Sequence, residues 1–162
     1  MKEFLDEFKK IKVVYDNDAA RKSGLICIAS VFEGCPGVKL YRASWMSGKS
    51  GIFFSVWTDS DSETLGRLHY NIHALKLRQL KSYVITSRNF AEEFRRNFKV
   101  LGSSWPNVRV DYGPLNLMQG WIEFREATFE PIVLSLMKEF AGVCPIIDRL
   151  LEERIAPARR RR

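Results

Sequence analysis

Residues 59–81 read DSDSETLGRLHYNIHALKLRQLK, and the way this stretch folds decides the architecture of the chain. At about 100° per residue, Leu65, Leu68, Ile72 and Leu75 form one apolar stripe, and Tyr70, Ala74 and Leu77 form a second on roughly the opposite side. Ser60 and Glu63 have the spacing of a capping box, and the carboxylates of Asp59, Asp61 and Glu63 suit the positive end of a helix. The spacing predicts a helix over 61–81, apolar on two sides and therefore sandwiched between layers. Arg67, Asn71 and Arg78 then share one sector between the stripes. His69 and His73, with Lys76 and Leu80, share the other.

Upstream lies the clearest strand signal. Residues 39–46 and 52–58 alternate around Ser47-Gly48-Lys49-Ser50-Gly51, which reads as a hairpin with a five-residue loop. Ile52, Phe54 and Val56 share one face of the second arm, while Phe53 and Trp57 share the other. A strand apolar on both faces is expected to be covered twice, or to meet another chain. Leu25–Phe32 reads as a further strand and residues 2–11 as a short amphipathic helix.

Downstream, residues 88–98 carry Phe90, Phe94 and Phe98 on one helical stripe, with Ser87 as the cap. A short strand is expected at 83–86. Residues 108–112 and 117–124 read as a strand pair around Gly113-Pro114, and 129–141 and 146–155 as two C-terminal helices. Strands and helices in this segregated order predict a single α+β domain over residues 1–156. Its mainly antiparallel sheet would be covered by the long central helix 61–81 and the C-terminal helices. Residues 157–162, ending in four arginines, read as a disordered basic tail.

Charge is unevenly placed. The chain of 162 residues has a formal net charge of +7, yet residues 67–99 carry eight Lys/Arg against only Glu92 and Glu93. Such asymmetry points to an anionic partner. The expected function is a non-enzymatic binding module that engages a nucleic-acid backbone, an acidic protein or a carboxylate or phosphate ligand through segment 67–99. Arg67, Asn71, Arg78, Arg88, Arg95 and Arg96 are the candidate binding residues, with Lys49 as an outlier. No helix-turn-helix, RNP, KH or zinc-finger pattern accompanies the charge.

Two other classes remain open. One is an enzyme built on His69 and His73, the only histidines, which one helical turn apart could share a metal ion or serve as base to Cys35. The other is a structural homodimer or complex subunit, for which the abundant aromatics, 11 Phe, 5 Tyr and 4 Trp, supply interface material. No cofactor signature is present. Segment 47–51 lacks the first glycine of a phosphate loop, and Asp59–Glu63 lacks the later positions of a calcium loop. Asp111 and Glu123, on neighbouring expected strands, have the carboxylates a metal-dependent nuclease needs, but Arg125 stands where an E-x-K pattern has lysine. No apolar run approaches a membrane span, the N-terminus lacks a signal-peptide core, and three cysteines without CxxC spacing fit a reduced, cytoplasmic setting.

Overall fold

The computed structural model describes residues 2–18 and 24–157. Its elements are α1 (Lys2–Asp16), β1 (Ile26–Phe32), β2 (Cys35–Tyr41), β3 (Met46–Ser47), β4 (Ser50–Trp57), α2 (Ser60–Leu65), β5 (Arg67–Leu75), α3 (Ser87–Phe98), β6 (Asn116–Glu123), α4 (Phe129–Phe140) and α5 (Cys144–Glu152). The fold is α+β: one antiparallel sheet in the order β1-β2-β4-β5-β6, with β3 pairing on β4. The last five residues, most of the expected basic tail, lie outside the described residues.

The long helix expected over 61–81 is replaced by a short helix and a strand. Asp59, rather than Ser60, caps α2 by accepting a hydrogen bond from the Ser62 amide at 2.7 Å. Gly66 then adopts the left-handed conformation, φ 64°, and closes the helix through its own N–H. Beyond it Leu68, Tyr70, Ile72 and Ala74 alternate with Arg67, His69, Asn71 and His73. As a strand, the segment buries all four of the first set completely. Full burial of a large apolar side chain is worth about 1.5–3 kcal/mol. A helix would have spread these residues over two faces and left polar side chains between packed layers.

The hairpin of 39–58 also changes its arms. Its first arm begins earlier, at Cys35, and pairs with β4 in the register Lys39 to Ser55. Residues 42–49 form a side excursion in which β3 returns to β4 around Gly48 and Lys49. β1 joins β2 through Glu33 and Gly34, both at positive φ (50° and 82°), the geometry of a tight two-residue hairpin turn. The expected strand at 108–112 is a single bridge, Arg109 to Gln119, and that at 83–86 a single bridge, Tyr83 to Ile155.

One face of the sheet carries the core. α1 packs on β1 and β2, α4 on β4, and α3 on β6 and α5. Phe54 stacks flat on Phe140 with centroids 4.5 Å apart, and Tyr70 and Trp105 close the cluster at 5.1 Å. The Tyr70 hydroxyl crosses β6 to donate to the Pro106 carbonyl at 2.5 Å. Position 120 must be glycine for this, because a Cβ there would stand 2.2 Å from the hydroxyl. Trp45 is anchored from below, its Nε1–H donating to Asp148 at 2.8 Å. Among the described residues no helix is long and apolar enough to cross a membrane.

Candidate functional site

The opposite face of the sheet is built by the alternate residues. Register aligns them in rows across the strands. Lys39, Ser55, Asn71 and Gln119 form one row, with Gly37, Trp57, His69 and Trp121 on one side of it and Phe53, His73 and Asn116 on the other. A polar row thus runs between two rows rich in rings. Among the described residues, the helices of the main core all lie on the other side, and α2 alone leans on this face, through Ser62 Oγ at 2.7 Å from His69 Nε2.

Phe53, Ser55 and Asn71 are nevertheless buried, at 5%, 4% and 2% exposure. A sheet face without a covering layer ordinarily leaves its polar residues in water, so this burial marks a concavity. It is a cleft of about 390 Å³ whose lip includes Phe32, Glu33 and Cys35 of the β1–β2 turn and whose far wall includes Asn116 and Gln119. That volume falls within the range of small-molecule sites.

Hydrogen bonds fix the floor. Ser55 Oγ donates to Asn71 Oδ1 at 2.5 Å, and Trp57 Nε1–H donates to the same oxygen at 3.1 Å. Asn71 Nδ2 donates in turn to His73 Nε2 at 2.7 Å. His73 must therefore be neutral with its proton on Nδ1. Burial, reinforced by the Lys39 charge, pulls its pKa down to about 4.

Rings form the walls. His73 packs on Phe53 with centroids 4.7 Å apart, and His69 stacks on Trp57 at 4.6 Å. The Lys39 ammonium sits over both the Phe32 and Phe53 rings, at 4.1 and 4.3 Å. Burial lowers the Lys39 pKa while Glu33 opposes the shift. Burial raises the Cys35 thiol pKa, and Asp59 and Glu33 add to the rise, which is the wrong direction for a nucleophile.

The expected site residues do not gather on one surface. Arg67 and Asn71 do share the open face: Arg67 lies over Trp121 at 4.1 Å and opposite Glu123 in the register, and Asn71 forms the cleft floor. Arg88 and Arg96 are exposed on α3, on the core side of the sheet, and Arg78 is exposed on the turn after β5. Lys49 is exposed at the β3–β4 turn. Arg95 is an internal clamp. Its guanidinium donates to the carbonyls of Tyr112, Gly113, Asn116 and Leu117 at 2.8–3.1 Å.

His69 and His73 lose the helical spacing on which a shared metal ion depended. Four residues along a strand put their Cα atoms about 13 Å apart, and each ring has its own stacking and hydrogen-bond partners. Among the described residues no group of three or more His, Cys, Asp or Glu side chains gathers where an ion could be held. Asp111 is taken by Arg109, with Nε to Oδ1 at 3.0 Å.

Lys39, Ser55, Asn116 and Gln119 are the residues that sequence reasoning missed. Phe53 and Trp57 carried a signal, as a second apolar face on a strand. Asn116 and Gln119 carried none, because three residues of spacing puts side chains on opposite faces of a regular strand.

No protein-family model, no curated protein and no solved structure matches the chain.

Proposed function

We propose that the protein is a non-enzymatic binding module for a small planar ring that carries a carboxylate or phosphate, seated in the open-face cleft. The observation that carries this reading is the hydrogen-bonded polar floor of buried Ser55 and Asn71 and half-buried His73 between aromatic walls, on a sheet face that the core helices leave uncovered. Flat apolar walls favour a flat apolar ligand, and Lys39 supplies the positive charge at one end. Binding is favoured over catalysis because the imidazole and the thiol of the cleft are both shifted away from proton exchange or attack near neutrality: His73 lies near 4 and the Cys35 thiol is raised. A small anion is favoured over a nucleic-acid backbone. Lys39 and Arg67 on this face are offset by Glu33 and Glu123, so it offers no continuous track for phosphates.

Titration calorimetry and tryptophan fluorescence with benzoate, orotate and uridine monophosphate test the reading. Inorganic phosphate, citrate and benzyl alcohol serve as controls. At least one planar anion is expected to bind better than every control. Lys39→Met should weaken it about tenfold, the scale of one charge-assisted hydrogen bond. Binding of the controls with equal strength, or an unchanged affinity in Lys39→Met, would overturn it.

A further inference from the structure

The cleft wall on β6 contains a β-bulge. Ile72 pairs with Met118 and His73 with Asn116, so Leu117 is an extra residue, and both Leu117 and Met118 are wholly buried. The bulge brings Asn116 and Gln119 to the same face, which regular alternation forbids. There the two amides are joined, Asn116 Nδ2 donating to Gln119 Oε1 at 2.8 Å.

That link leaves two groups over. Asn116 Oδ1 is buried and has no hydrogen-bond partner, an uncommon state for a buried acceptor and a costly one. Gln119 Nε2 donates to nothing among the described residues. Rotating both amides by 180° preserves their mutual bond and only exchanges which residue offers the acceptor. In either arrangement the pair keeps one donor and one acceptor that the other amide does not use, the Asn116 group being enclosed in the wall. The position is rigidly held, since Arg95 grips the backbone carbonyls of Asn116 and Leu117 at 2.9 and 3.1 Å. The same wall faces Lys39 along the polar row, three strand spacings or about 14 Å away at the Cα positions. With both side chains reaching inward, that span suits one ring bearing an acidic group.

We propose that Asn116 and Gln119 read an amide-type edge, one ring or exocyclic N–H beside one acceptor, so that the ligand is an acidic nitrogen heterocycle of the nucleobase kind. This rests on the cleft being the site of a planar anion. Asn116 and Gln119 determine which ring is accepted, Lys39 secures the acid, and Phe53 and His73 line the space between them.

The test compares orotate, 3-methylorotate and benzoate by calorimetry, with uridine monophosphate and its 3-methyl derivative as the phosphate arm. Wild type is expected to bind orotate or uridine monophosphate about a hundredfold more tightly than benzoate, about tenfold for each of two hydrogen bonds made to an otherwise unpaired group. Methylation at N3 should remove most of that preference. Asn116→Leu and Gln119→Met should each reduce affinity for the unmethylated heterocycle toward that for benzoate, and a cooperative thermal unfolding transition with native tryptophan emission shows that the variants are folded. Equal affinity for all rings in wild type, or a preference that survives both substitutions, would overturn the amide-edge reading and leave planar-anion binding standing. Absence of binding by any of these probes would overturn both. A preference confined to the carboxylates or to the phosphates supports the reading and identifies which acid the Lys39 end takes.

Discussion

His73 holds its neutral form because the Asn71 amide requires an acceptor at Nε2 and because burial beside Lys39 disfavours a second charge. Its pKa of about 4 lies below the ordinary value of 6.5, so as pH falls the unfolded chain takes up the proton first. The stabilising contribution is complete above pH 6.5, diminishes from there to about pH 4, and is gone below it, with a total of up to about 3 kcal/mol. Burial lowers the pKa of His69 too, which adds to the loss in the same direction. Urea unfolding at pH 7, 5.5 and 4.5 should show this decline. His73→Phe keeps a ring against Phe53 and cannot titrate. It should be less stable than wild type at pH 7, because Asn71 loses its acceptor, and should show a flatter slope between pH 6.5 and 4.5.

At the scale of elements, the stretch 59–81 explains what was legible in the sequence and what was not. Both a helix and a strand fit its apolar residues, since Leu68 and Ile72 satisfy a period of 3.6 and, with Tyr70 and Ala74, a period of 2. Gly66 was the discriminating residue. A glycine after an acidic, capped turn is a stop signal, and Arg67–Leu75 alternates strictly from there. The Phe90–Phe94–Phe98 face of α3 and both C-terminal helices were legible from a helical period, and β1 and β4 from short apolar runs rich in β-branched and aromatic residues rather than from a period. The double-sided character of β4 was legible as well, and it is the sequence trace of the cleft floor. The bulge at Leu117 was not, because it arises from tertiary contacts. Arg95 holds the Leu117 carbonyl and three that precede it, and a guanidinium cannot be matched to distant carbonyls by sequence spacing. Arg95→Met should therefore destabilise the protein by about 2 kcal/mol, as expected for lost hydrogen bonds from a charged donor. Thermal unfolding measures this. It should also loosen the 112–117 segment, which amide exchange of Leu117 and Met118 would report. Neither effect is expected for Arg88→Met or Arg96→Met, whose side chains are exposed on the same helix.

At the scale of the molecule, the fold divides its work between two sheet faces. One face, with α1, α3, α4 and α5, carries the apolar cluster that holds the domain together. The other holds a polar row and a concavity whose lining includes a residue with a buried, unpaired acceptor. The segment 67–99 that dominates the charge map passes through both, as β5 on the open face and α3 beyond the core, so its cations do not act as one patch. The strand order carries a consequence in time. β1, β2, β4 and β5 follow one another with short connections and neighbour one another in the sheet, whereas β6 reaches β5 only after 40 intervening residues. Closing that long loop has the largest entropic cost of any strand pairing here, so the first four strands should acquire protection before β6 docks. The cleft then exists only after the last assembly step, because Asn116 and Gln119 arrive with β6. Stopped-flow refolding with pulsed amide exchange should find β2 and β4 protected ahead of β6, and a saturating ligand should slow unfolding while leaving the folding rate unchanged.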